Sequence, residues 1–285
     1  MTTNETQGSL IASLFEPDLE VSRRFIEFCD IPGRVLLCSA TGSHYYGYPS
    51  INSSIHLRGI YLAPTAMFLG LVKAPEGYDH ADKLDDIRCV AALAEARQAL
   101  DLLLRGNGSV LERIMSPFQL FDRAFELEAL RELAVGAVSK RFFRHYQGSF
   151  RGAQREHGRA PKPMARTLLN VYRIALTGIH LLKSGKLIAD LNILAKLYNL
   201  PEASELIEFK RENGERSTVP PKLNALHKEN WAQLGKDLGL AYEASMLPDQ
   251  AENEDACAQW LIELRLMAFE RAEAELGFGP DDPPW

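Results

Sequence analysis

The 285 residues carry 32 Lys and Arg against 38 Asp and Glu, a net charge of −6, with 46% apolar and 25% charged residues. That balance is ordinary for a soluble globular chain, and the length suffices for two domains or one large one. The negative total excludes a protein that coats nucleic acid with its whole surface, while leaving room for a local basic groove. No apolar run approaches the ~20 residues of a membrane span, and Met1 to Ser9 has neither the basic start nor the apolar centre of a signal peptide.

Residues 1–17 read as a loose lead-in. Leu19, Val21, Phe25, Ile26 and Phe28 have helical spacing within Asp18 to Cys29, and Pro32-Gly33 ends that element. Arg34 to Ala40 is an apolar strand, and His56 to Leu62 a second one. Between them runs Thr41-Gly42-Ser43-His44-Tyr45-Tyr46-Gly47-Tyr48, then a serine-rich turn. A strand, a Gly-Ser turn and a second strand can set backbone N–H groups and a hydroxyl against a phosphate. Asp79 to Asp86 reads as a polar connection, Ile87 to Val90 as a short third strand, and Ala91 to Leu104 as a helix closed by Arg105-Gly106-Asn107-Gly108. A further helix starts near Ser109.

Beyond it everything reads as helix: Phe125 to Tyr146, Pro163 to Ser184 with Gly185 as its C-cap, Ala189 to Asn199, Pro201 to Asn213, Lys222 to Leu240, and Asp255 to Leu276. Asp281 to Pro284 is a frayed tail. The expectation is an α+β protein in which a small mixed sheet is followed by an all-helical part, divided as 1–122 and 123–280. The four cysteines are widely spaced and lack a CxxC pair, which suits buried free thiols in a reducing cytoplasm.

Lys140 to Arg173 is the second notable stretch. It holds Arg144, Arg151, Arg155, Arg159, Arg166 and Arg173 among nine basic residues, with Glu156 as its one acid and five aromatics interleaved. Arginine forks grip phosphates and aromatic faces stack on bases. The competing account is a solvated helix face with a flexible basic loop from Gly148 to Pro163, its aromatics merely core. The acidic segment from Glu243 to Asp255 is placed to neutralise this charge within the molecule or across a homo-oligomer.

The order GSxxYG, a serine-rich turn, Ser54-Ile55-His56-Leu57-Arg58-Gly59-Ile60-Tyr61 and Leu69-Gly70-Leu71 resembles the polymerase-beta-like nucleotidyltransferases, in the branch associated with RNA ligases and RNA repair. Leu104-Arg105-Gly106-Asn107-Gly108-Ser109-Val110-Leu111-Glu112, Phe143-Arg144-His145-Tyr146 and Leu169-Asn170-Val171-Tyr172-Arg173 extend the likeness over about 34–190. The resemblance implies a nucleotidyltransferase fold, a nucleoside triphosphate and RNA as ligands, and Mg²⁺ held by Asp-x-Asp on the second strand plus a third carboxylate. Residues i and i+2 of a strand share a face, so two carboxylates there can hold a metal pair for phosphoryl transfer.

Here those positions are Ser54 and His56, with Asp86, or Asp85, standing for the third and for a surviving metal ligand. A hydroxyl and an imidazole are poor replacements for the oxygen anions that Mg²⁺ prefers. Gly42, Ser43, Arg58, Arg144, Arg151, Arg166 and Arg173 are the expected nucleotide- and phosphate-binding residues. Three readings stay open. One is an impaired pseudoenzyme or regulator that binds nucleotide or RNA. The second is a working transferase using Asp85 or Asp86 with Glu95 or Glu112, and the third a helical interaction module retaining only the fold. A single transition metal on His56 and Asp86 with His44 or His80 is a further candidate.

Overall fold

The computed structural model describes residues 17–50, 53–71, 73–121 and 124–275. The lead-in before residue 17, the tail after 275 and the expected division at 122/123 lie outside the described residues. Helix α1 (Leu19–Glu27) is capped by the Asp18 carboxylate, which accepts from the N–H groups of Glu20 and Val21. Strands β1 (Arg34–Thr41), β2 (Ile55–Leu62), β3 (Gly77–Leu84) and β4 (Ile87–Glu95) form one mixed sheet in the order β1-β2-β4-β3. β1 runs antiparallel to β2, β2 parallel to β4, and β3 antiparallel to β4. A short helix α2 (Ala66–Leu69) precedes β3.

Two expectations fail in this region. The polar connection Asp79 to Asp86 is mostly strand β3 and the turn after it. An edge strand wetted on both faces satisfies its backbone through β4 alone, so it needs no apolar alternation, and most of its side chains are exposed. The expected helix from Ala91 is strand as far as Glu95. Only then does α3 (Ala96–Leu104) start, with the Glu95 carboxylate accepting from the N–H of Arg97 at 2.7 Å. The apolar run continued through the junction and hid the change of period.

The helical part comprises α4 (Gly108–Met115), α5 (Ala124–Gly136), α6 (Phe142–Arg159), α7 (Ala165–Ser184), α8 (Leu191–Leu197), α9 (Pro201–Asn213), α10 (Pro221–Glu243) and α11 (Glu254–Glu275). The single helix expected over Phe125 to Tyr146 is broken after Gly136, where the N–H of Lys140 donates instead to the Pro248 carbonyl. The loop expected from Gly148 is the second half of α6, which ends at Ala160 ahead of Pro161. Gly185 caps α7 at φ 71°, the left-handed conformation that glycine adopts without penalty.

Helix α7 is buried along most of its length and is the axis of the helical part. One apolar cluster runs from Leu36, Ile60 and Leu62 of the sheet through Leu103, Leu111 and Ile114 to Phe142, Tyr146, Tyr172 and Leu238. A second cluster packs Phe25 and Ile26 of α1 against Leu57, Tyr61 and Ala91 on the opposite sheet face. Strands β1, β2 and β4 are thus covered on both sides, β3 staying wetted at the edge, and the helical part shares its core with one side.

Candidate functional site

At the end of β1 the chain turns on Gly42, whose φ of 72° suits a residue without a side chain. A Cβ there would lie 3.0 Å from the ring of His56. The turn is closed by Tyr46 N–H donating to the Gly42 carbonyl at 2.9 Å and Tyr48 N–H to the Ser43 carbonyl at 3.0 Å. Across the β1–β2 ladder Thr41 pairs with His56, and its hydroxyl donates to the His56 carbonyl at 3.1 Å. Ser54, His56 and Arg58 follow at alternate positions and point to the face that the helical part covers. Where that cover is interrupted lies a cavity of about 400 Å³. Thr41, Gly42, Ser43, Ser54, His56 and Arg58 form its sheet side, and Ser109, Glu112, Arg166, Thr167 and Asn170 close it from α4 and α7. Glu156 of α6 and Glu215 complete the rim.

Two buried ionic knots hold this turn in place. In the first, the Glu112 carboxylate accepts from Arg173 at 2.8 Å, from the Tyr46 hydroxyl at 2.8 Å and from the Tyr146 hydroxyl at 3.3 Å. The Arg173 guanidinium also lies over the Tyr46 ring, 4.0 Å from its centroid. In the second, the Lys210 ammonium, 0% exposed, donates to the Tyr48 carbonyl at 3.0 Å, the Ser50 hydroxyl at 2.9 Å and the Glu215 carboxylate at 2.6 Å. Ser53 donates to the same Glu215 oxygen at 2.8 Å. Burial alone would raise the Glu215 pKa, but the Lys210 ammonium and the two serine hydroxyls outweigh it and hold the carboxyl below its ordinary value. Asn192 of α8 and Arg211 of α9 donate to the Gly47 carbonyl. Lys210, Glu215, Asn192 and Arg211 escaped the sequence reading. Nothing in their local sequence marks them, since each meets the turn across more than a hundred residues.

Of the expected site residues, the cavity gathers Gly42, Ser43, Ser54, His56, Arg58 and Arg166. Arg173 lies behind its wall, spent on Glu112. Arg144 and Arg151 are exposed on α6 and do not line it. Asp86 does not line it either. With Asp85 it forms the two-residue turn of the β3–β4 hairpin, both residues at positive φ (49° and 62°), the geometry that such tight hairpins need. Asp85 pairs with Arg24 of α1 at 2.7 Å. Glu95 is a buried cap whose other oxygen meets Arg265 at 2.7 Å, and His80 stacks on Phe25. The aromatics of the basic stretch are core: Phe142, Tyr146, Phe150 and Tyr172 are buried, and Phe143 stacks on Tyr242. The four buried rings offer bases no platform. Of the acidic segment, Asp249 pairs with Lys140 at 3.2 Å, one neutralisation within the molecule, and the neutral Gln250 amide oxygen accepts from Arg141 at 2.7 Å.

A pair of Mg²⁺ ions does not fit these residues. The β2 face presents a hydroxyl, an imidazole and a guanidinium. The neighbouring strand β4 sets Val90 beside His56, and Arg88, two residues earlier on β4, falls on the same face. Burial, and then the Arg58 guanidinium, hold the His56 imidazole below its ordinary pKa, so it is neutral at pH 7. Glu112 and Glu215 line the cavity but are committed to Arg173 and Lys210. Among the described residues no three His, Cys, Asp or Glu side chains converge on a point where a metal would sit. What the cavity does hold is a serine hydroxyl on a tight turn and two guanidiniums, Arg58 and Arg166, which are the means of holding a phosphate.

The sequence model of the RNA repair pathway DNA polymerase beta family matches residues 19–263. An uncharacterized protein of Methanocaldococcus jannaschii is 25% identical over 227 residues, 78% of this chain and 89% of its own. A nucleotidyltransferase-like protein from Exiguobacterium sibiricum, solved as a crystal structure, aligns over 92% of both chains at 14% identity and a TM-score of 0.33, too slight a likeness to carry argument. The extent of the family match, across sheet and helical part alike, settles the matter: the chain belongs to the RNA repair pathway DNA polymerase beta family, a branch of the polymerase-beta-like nucleotidyltransferases.

Proposed function

We propose that this chain binds the phosphates of a nucleotide or an RNA end in the Gly42-Ser43 cavity without divalent metal, and acts as a pseudoenzyme or regulator within its family. The observation that carries the reading is the β2 face itself: Ser54, His56 and Arg58 stand where a metal-dependent site needs anions, and β4 adds Arg88 and Val90. Replacing carboxylates by neutral and cationic groups removes the field that concentrates Mg²⁺ and leaves one that attracts phosphate directly. Ser43 and the guanidiniums of Arg58 and Arg166 then bind the phosphate oxygens, while the neutral His56 contributes a hydrogen bond rather than charge. The four unpaired cysteine thiols accord with a reducing compartment, the cytoplasm.

The test is thermal unfolding with ATP, in EDTA and in Mg²⁺. A ligand at 100 times its dissociation constant adds ~2.7 kcal/mol, which at this chain length raises the midpoint by roughly 5–10 °C. The shift is the same in EDTA and is lost in Ser43→Ala and Arg166→Gln. The second reading, active transfer, has one observation on its side, the glutamates along the cavity. Mg²⁺-dependent transfer of label from a nucleoside triphosphate to RNA or protein, abolished by Ser43→Ala, would establish it and refute the first. No shift with any nucleotide or RNA would leave an interaction module.

A further inference from the structure

Helix α6 has a second face that the cavity does not use. Arg144, Gly148, Arg151, Arg155 and Arg159 are spaced so that, at 3.6 residues per turn, they fall within about 80° of one another and run ~22 Å along the axis. All four arginines are exposed, and none of them meets a carboxylate among the described residues, whereas Arg141 just before the helix and Lys140 beside it are tied to Gln250 and Asp249. Nothing lies within 4 Å of where a Cβ would stand on Gly148 or Gly152, so a partner can approach the helix backbone there. On the next edge of the same helix Glu156 lines the cavity. The arginine face and the cavity mouth are therefore neighbours on one element.

We infer that this face of α6 is a track for the phosphate backbone of a single RNA strand whose end lies at the cavity; the placing of that end rests on the phosphate-pocket reading above. Charge alone would also suit an anionic membrane, but a membrane-binding helix must present apolar side chains beside its basic ones. Those of α6 (Phe142, Tyr146, Phe150) are buried in the core. Of the aromatics on α6, Phe142, Tyr146 and Phe150 are buried and Phe143 is stacked on Tyr242, away from the arginine face, so contact there is to the backbone, indifferent to sequence and steeply dependent on salt. Four phosphate contacts to a single strand give a slope of about −2.8 in log K against log[salt], or a roughly 50-fold loss of affinity between 50 and 200 mM.

The test is fluorescence anisotropy of a labelled 12-nucleotide RNA with the full chain across that salt range. The triple variant Arg144→Gln/Arg151→Gln/Arg155→Gln makes the slope shallower by about 2, while the corresponding triple Lys variant keeps it. A slope unchanged in the Gln variant overturns the inference. So does capture of anionic phosphatidylglycerol vesicles that depends on these arginines while RNA binding does not. ATP-induced stabilisation, measured on the same variants, shows that they fold and separates the two claims. An ATP shift without arginine-dependent RNA binding removes the track alone, and arginine-dependent RNA binding without an ATP shift removes the pocket reading and leaves the track.

Discussion

Replacing Arg173 by Met removes the guanidinium from a carboxylate that keeps only two hydroxyl partners. Glu112 is 3% exposed and Arg173 8%, so both charges are largely withdrawn from bulk water. Stripping one partner from a buried pair costs ~3–5 kcal/mol, against under ~0.5 kcal/mol for an ordinary surface substitution. In a chain of this size that lowers the unfolding midpoint by roughly 6–20 °C. The variant Glu112→Gln/Arg173→Met discharges both sites and still offers the Tyr46 and Tyr146 hydroxyls an amide oxygen, so it recovers most of the loss. Urea unfolding of wild type, both single variants and the double variant gives the coupling directly. A single Arg173→Met variant within ~0.5 kcal/mol of wild type, or a double variant as unstable as the sum of the singles, would refute the account of this knot.

Other perturbations address the cavity and the histidines. Asp86→Asn, at the hairpin tip, leaves ATP-induced stabilisation unchanged; its loss would return Asp86 to the site. The double variant Ser54→Asp/His56→Asp puts two carboxylates on one face of β2, and it gains Mn²⁺-dependent stabilisation by ATP that wild type lacks. Equal metal dependence in the two proteins contradicts the fit argument. Gly59→Val is strongly destabilising, because a Cβ there would come 2.7 Å from the Leu37 carbonyl oxygen and 2.9 Å from Leu93; a midpoint near wild type would show that β1 and β2 can part at no cost. Burial above all holds His56, His145, His157, His180 and His227 below their ordinary pKa. Below pH ~6.5 the unfolded chain therefore takes up protons that the folded chain refuses, and stability falls on acidification. His227→Gln flattens the fall in midpoint between pH 7 and pH 5; an undiminished slope would clear that residue of the effect.

The sequence announced its regular helices and the β1–β2 pair because each carries its own period and punctuation. Pro201 to Asn213 and the Gly185 cap fall where their local signals put them. Strand β3 was illegible because its stability comes from β4 and not from its own side chains. Half of α6 was misread for a related reason: three glycines and a run of arginines look like a loop until Phe150 and Ala153 are seen buried on the other side. At the cavity, the residues that line β2 were readable from their alternation. The segments around Glu112, Tyr146 and Arg173 attracted notice without revealing that they meet. Lys210 and Glu215 gave no signal at all, since what they do depends on where Tyr48 and Ser50 happen to arrive.

The knots that seat the Gly-Ser turn also set when it can form. Tyr46 waits for a partner 66 residues on, the Gly47 carbonyl for one 145 residues on and the Tyr48 carbonyl for one 162 residues on. Such distant closures come late in folding. On a ribosome adding residues from the N-terminus, the sheet strands emerge long before Lys210 does, and in that interval the turn has neither ammonium nor amide to hold it. The seated form of the turn is accordingly acquired only after Lys210 has been added, and an N-terminal fragment carrying every residue of the sheet side would lack the groups that hold it.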